Sequence, residues 1–139
     1  MMRFLCRWGP ALGLMIVIFI MSSQPKSDVP DFGVWDLPAK KGSHMIGYAL
    51  LGVAMLRGVR GDALLARRHY VWALVLTALY AMTDEYHQTF VPGRGGNVWD
   101  VGVDALGATI SLSLRWRQAL RLQRLLATPS PSKTESSRR

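Results

Sequence analysis

The chain has 139 residues, half of them hydrophobic, and a formal net charge of +8. That length suits one domain, and so much apolar content exceeds what a small soluble fold needs, so the composition points to a membrane protein and away from a soluble helical domain. The single cysteine, Cys6, excludes an intramolecular disulfide and a cysteine metal framework.

Four apolar stretches follow in order: Phe4 to Met21, Gly42 to Leu56, Tyr70 to Thr83, and Val98 to Leu114. A membrane span takes about 20 residues, with a range of about 17–25, so the second and third reach it only if their polar ends join the helix. Interfacial Trp and Tyr support that extension. The first stretch reads as an uncleaved span. Arg3 and Arg7 precede it as in a signal peptide, but its exit, Met21-Ser22-Ser23-Gln24, is a poor small-x-small cleavage site. Between Ser22 and Lys41, Pro25, Pro30 and Pro38 alternate with Asp28, Asp31 and Asp36, which predicts an irregular outer loop. The Arg57 to His69 connection is short and basic, with His69 expected at the membrane interface.

The run Pro92-Gly93-Arg94-Gly95-Gly96-Asn97 predicts a hairpin between the third and fourth stretches. Asn97 is a candidate N-cap there, with Asp100 three residues on. After Leu114, RWRQALRLQRLLA places Arg117, Arg121 and Arg124 on one face, away from Trp116, Leu120 and Leu126. That pattern predicts a short amphipathic C-terminal helix, or equally a helical stop-transfer flank. Residues 128–139 have the composition of a disordered basic tail, leaving 1–127 as one four-helix membrane domain.

Charge placement orients the bundle. Of the 17 Lys and Arg residues, four (Lys26, Lys40, Lys41, Arg94) lie in the first and third connections, and the other 13 lie at the termini or in the second. That bias predicts four antiparallel spans with both termini cytoplasmic. Because the cations flank apolar spans, membrane lipid headgroups are their expected partners, and nucleic acid is not.

Three pairs share one geometry: His44 with Tyr48, Asp84 with Gln88, and Asp100 with Asp104. Each is spaced i,i+4, so both members occupy one helix face. On this topology all three faces lie at the outer ends of their helices, with Lys41, Glu85, His87 and Arg94 adjoining. A carboxylate at mid-membrane costs roughly 2.5–3.5 kcal/mol on insertion scales, so these groups must face one another or the interface. Plainer readings stand beside this one. Asp100 serves as a helix cap, Arg94 pairs with Asp84 or Glu85, a lone His44 or His87 is a satisfied interfacial histidine, and Tyr48 and Phe90 are packing. Asp104, a turn deeper, has no capping role.

Lys41-x-x-His44 with Tyr48, then Asp84-Glu85-x-His87-Gln88-x-Phe90-Val91-Pro92-Gly93-Arg94, then Asp100 and Gly107, resemble the VanZ-like family of small polytopic bacterial membrane proteins. The likeness runs from about Lys41 to Leu114, and Ser22-Ser23-Gln24-Pro25 is similar to the family as well. It implies an all-α, multi-pass protein of the bacterial cytoplasmic membrane and, in the founding member, a link to resistance against the glycopeptide teicoplanin. It implies no settled reaction. Two positions depart from the family: Lys40 stands where Asp is common, and Asp104 where Asn is usual.

Two functional expectations result. In the first, the protein acts on or binds a lipid-linked, anionic cell-envelope component at the outer leaflet. Glu85 or Asp84 would be the general base and His44 or His87 its acid–base partner, while Lys41, Arg94, Gln88 and Tyr48 would hold the headgroup. Asp84, Glu85, Asp100 and Asp104 would repel a phosphate unless a divalent cation, Mg²⁺ or Mn²⁺, lay between. No nucleophile motif or zinc-ligand spacing accompanies them. In the second, the protein is a non-catalytic interaction protein whose polar cluster locks the helices in register. Ion passage fits less well, since the inner half of the bundle has no ionisable relay.

Overall fold

Apolar and small residues, uninterrupted except at turn-forming segments, build four helices: α1 (Met2–Ser22), α2 (Asp36–Arg60), α3 (Arg67–Gln88) and α4 (Val98–Ala127). The computed structural model describes residues 2–28 and 33–127, and among these no strand occurs. The fold is all-α. The expected tail at 128–139 lies outside the described residues, as does Asp31.

Two local expectations are corrected. The loop from Ser22 to Lys41 is shorter than its prolines suggest, with 3₁₀ turns at Lys26–Asp28 and Gly33–Trp35 and α2 already begun at Asp36. Pro38 falls in the first turn of that helix, where backbone N–H groups have no intrahelical partner to lose. The amphipathic segment after Leu114 is no separate helix. No Gly or Pro interrupts it, and α4 runs on for 30 residues, about 45 Å at 1.5 Å per residue. His69 is buried. Its Nδ1 accepts the Ala66 N–H at 3.0 Å, and its own N–H reaches the Ala66 carbonyl at 2.9 Å, closing the first turn of α3.

Helix α2 touches each of the other three, α4 packs on α2 and α3, and α1 lies on α2 and a short part of α3. The α2–α4 contact is made by small residues, which let helix backbones approach closely. A Cβ on Gly52 would meet Ala108 Cβ at 3.2 Å, and Ser111 Oγ donates to the Ala49 carbonyl at 2.9 Å. A Cβ on Gly107 would collide with the Met45 carbonyl oxygen. That approach sets the α2 turn carrying His44 against the α4 turn carrying Asp104.

One end of the bundle collects the C-terminal ends of α1 and α3 and the N-terminal ends of α2 and α4. Ser22 Oγ donates to Asp84 Oδ2 at 2.8 Å, and Lys41 Nζ pairs with Asp100 Oδ1 at 2.9 Å. At the other end Arg7 donates to the Gly58 carbonyl at 3.1 Å, and Tyr70 meets Trp116 edge-on with ring centroids 5.1 Å apart.

Polarity is inverted relative to a soluble bundle. Ile16, Leu50, Leu79 and Leu106, one on each helix, are more than half exposed, whereas Asp84, Glu85, Gln88 and Asp104 are buried. By length and composition α1 qualifies to cross a membrane; among the described residues it alone does so.

Candidate functional site

The turn after α3 shapes the polar end. Val91-Pro92-Gly93-Arg94 is a β-turn closed by the Arg94 N–H to the Val91 carbonyl at 3.1 Å, with Gly93 at φ 74°. Pro then Gly at the two central positions is the type II pattern, in which the second needs a left-handed φ. The turn sends Arg94 back over the end of α3, where Nη1 donates to Gln88 Oε1 at 3.4 Å and Nη2 to the Met21 carbonyl at 3.3 Å. Among the described residues Arg94 forms no ion pair with Asp84 or Glu85.

Glu85 is held from two sides. Its Oε2 accepts the backbone N–H of Asn97 at 2.9 Å and its Oε1 accepts Gln88 Nε2 at 3.3 Å. Asn97 in turn caps α4, its Oδ1 accepting the Trp99 N–H at 3.1 Å, so one residue ends the hairpin, starts a helix and fixes a carboxylate. Asp84 Oδ2 accepts from both Ser22 Oγ and Gln88 Nε2, the latter at 3.1 Å, while its buried Oδ1 has no partner among the described residues.

Asp104 is completely buried, and neither of its oxygens has a hydrogen-bond partner among the described residues. Its nearest polar neighbour is half-buried His44, whose Nδ1 stands 3.5 Å from Oδ1. That separation exceeds the usual 2.7–3.2 Å of an N–H···O bond. One ligand atom each from His44, Glu85 and Asp104 lies within 4.8 Å of the other two. Tyr48 lies parallel to the His44 ring at 6.3 Å between centroids, its hydroxyl buried and likewise without a partner.

Of the residues singled out in the sequence, the structure gathers His44, Tyr48, Asp84, Glu85, Gln88 and Asp104 at the centre of this end. Lys41 and Asp100 pair at its rim, and Arg94 caps it through Gln88. His87 turns away toward α1, where its Nε2 is 3.0 Å from Ser23 Oγ and its ring lies 4.5 Å from that of Phe19. Phe90 is exposed. Two contributors escaped the sequence reading. Ser22 carried a signal, standing in the polar exit of α1, but its partner is 62 residues away. The Asn97 backbone N–H carried none, because any residue except proline supplies one.

A helical bundle with a buried polar cluster at one end and an apolar exterior is the class these features define. The VanZ/LLP1 family model matches residues 8–118, most of the chain and all four helices, and the protein belongs to that family. The match takes in α1, well beyond the Lys41 to Leu114 segment whose motifs resemble the family. No curated protein and no solved structure matches the chain.

Proposed function

We propose that this is a multi-pass protein of the bacterial cytoplasmic membrane, with four antiparallel spans and both termini inside, whose polar end binds the anionic headgroup of a lipid-linked envelope component at the outer leaflet. The inverted polarity carries this reading: apolar side chains face outward on every helix while the carboxylates are inside. Apolar surface exposed along all four helices marks contact with a membrane or a partner. The helices, at 21, 25, 22 and 30 residues, each meet the length of a span once their polar ends are counted. Exposed Trp35, Trp99, Tyr86 and Phe90 ring the polar end, as aromatic side chains do at a membrane interface. Lys41 and Arg94 at the rim supply the donors for a phosphate, Arg94 with a planar fork suited to it.

Two measurements test this. A reporter active only outside the cytoplasm should work when fused after Asp31 or Gly95 and fail after Asp62 or Ala127; the reverse pattern would overturn the orientation. In lipid nanodiscs the protein should bind a polyprenyl phosphate and ignore the corresponding alcohol, with Arg94→Ala weakening binding about tenfold. Equal binding of phosphate and alcohol would remove the headgroup reading. Teicoplanin susceptibility of cells with and without the protein tests whether the founding member's resistance link extends here.

A second reading has its own support. Ser22 with Asp84, Asn97 with Glu85 and Lys41 with Asp100 each tie two segments together, as a non-catalytic lock would. Under that reading Lys41→Ala lowers stability and leaves headgroup binding unchanged.

A further inference from the structure

We infer that His44, Glu85 and Asp104 form a binding site for one first-row divalent transition metal of the Zn²⁺ or Mn²⁺ kind. The site goes beyond the headgroup reading and stands without it.

A buried carboxylate without hydrogen bonds has lost its hydration and gained nothing in return, which is costly unless a cation faces it. Among the described residues no Lys or Arg pairs with Asp104, Glu85 or Asp84, although the three carboxylates share one end of the bundle. His44 alone does not answer the need. An ion pair with it leaves the second Asp104 oxygen unpartnered.

The 3.5 Å between His44 Nδ1 and Asp104 Oδ1 is long for a hydrogen bond. It matches two ligands of one ion. With metal–ligand distances of about 2.0–2.2 Å, neighbouring ligands of a tetrahedral site stand roughly 3.3–3.6 Å apart. Glu85 completes the trio within 4.8 Å, so a side-chain adjustment of about 1 Å closes the site. Gln88 and Asn97, which hold the two Glu85 oxygens, are the outer contacts that typically orient a metal-binding carboxylate.

The donor set selects the metal class. Two carboxylates suit Mg²⁺, Ca²⁺ or Mn²⁺, but an imidazole suits first-row transition metals, and Mg²⁺ gives up its water for nitrogen reluctantly. Three protein ligands leave a coordination position open for water or substrate oxygen, the arrangement of catalytic rather than structural zinc sites. The Tyr48 hydroxyl and Asp84 Oδ1 are also buried and without a hydrogen-bond partner among the described residues, at the same end of the bundle.

The test uses the full chain in detergent, stripped with EDTA and then offered Zn²⁺, Mn²⁺ or Mg²⁺ alone, with no lipid ligand. After desalting, elemental analysis should find one Zn²⁺ or Mn²⁺ per chain and no retained Mg²⁺. In the Mn²⁺ form, electron spin echo modulation should show the coupling of a directly bound imidazole nitrogen. His44→Gln should abolish that coupling, and His44→Gln, Glu85→Gln and Asp104→Asn should each weaken affinity about tenfold or more. Asp100→Asn and His87→Gln should bind as the unmodified chain does. Substoichiometric binding of both transition metals, Mg²⁺ binding as tight as Mn²⁺, or an equal loss in Asp100→Asn would overturn the assignment. Should a site variant fail to fold, the nitrogen coupling in the unmodified chain still decides: its absence refutes the site.

Discussion

The two ends of the bundle carry charge in opposite ways. At the end formed by Ser22, Lys41, Asp84 and Asp100, Asp84 and Asp104 are buried, and Asp84 and Asp100 are tied to other segments of the chain. At the other, Arg57, Arg60, Arg67, Arg68, Arg115 and Arg117 are exposed, and Arg7 donates a hydrogen bond across to another helix. The difference comes from side-chain length. An arginine lays its stem along apolar surface and keeps its head in solvent, so it can flank an apolar helix without a partner. An aspartate on an inward face has no such reach and must find donors or a cation within the bundle. On the proposed topology the basic end sets orientation, whereas the acidic end sets helix register.

That contrast predicts where substitutions hurt. The largest loss belongs to Gly107→Val, which puts a side chain into the Met45 carbonyl and pushes α2 from α4 at the turn where His44 meets Asp104. Overpacking typically costs about 1–3 kcal/mol and more where, as here, the clash is with backbone that cannot swing aside, so the loss should exceed about 3 kcal/mol in thermal unfolding in detergent. Gly102, five residues earlier on α4, has no atom within 4 Å of the corresponding position, so Gly102→Ala should be neutral or slightly stabilising. Equal losses at the two glycines would show that close helix approach is not what builds the polar end.

Next in size is Ser22→Ala. It removes a buried 2.8 Å bond to Asp84, leaving Gln88 as the sole donor to that carboxylate among the described residues. Bonds to charged groups contribute about 1.5–3 kcal/mol, so the loss should be clear in the same unfolding assay. At the basic end, the double change Arg67→Gln with Arg68→Gln should leave the unfolding temperature in place and instead weaken the orientation bias read by the external reporter. If the double change destabilises as much as Ser22→Ala, the proposed division of labour between the ends fails.

Much of the polar end was legible in the sequence because helical spacing puts i,i+4 residues on one face: His44 with Tyr48 and Asp84 with Gln88 do share faces that meet. Asn97 capped its helix as its side chain and position suggest. Other contacts depend on which helices adjoin. His44, Glu85 and Asp104 come from α2, α3 and α4, so no short-range spacing marks them as a ligand set, and the close α2–α4 approach at Gly107 brings two of them together. Arg94 met Gln88 instead of a carboxylate because the Gly93 turn fixes where its stem begins. His87, two residues after Glu85, points to α1 for the reason a helix separates such neighbours: about 200° of rotation lies between Glu85 and His87, at about 100° per residue. The start of α2 reads as loop because its proline is a local turn cue that the first helical turn tolerates, and of the two readings left open after Leu114 the structure takes the continuous helical flank.

The smallest expected effect is the sharpest test of the acidic end. Asp104→Asn keeps the shape while removing one buried charge. In EDTA the variant should be more stable than the unmodified chain by about 1 kcal/mol, because an amide left without full hydrogen bonding costs less than a carboxylate in the same place. With Zn²⁺ at 100 times its dissociation constant, the unmodified chain gains about 2.7 kcal/mol by mass action, and a variant that binds tenfold more weakly gains roughly half that. The order of stability should thus narrow or reverse when metal is added. A variant that is more stable by the same margin with and without Zn²⁺ would place Asp104 outside the site and reduce its burial to a tolerated cost of this particular chain.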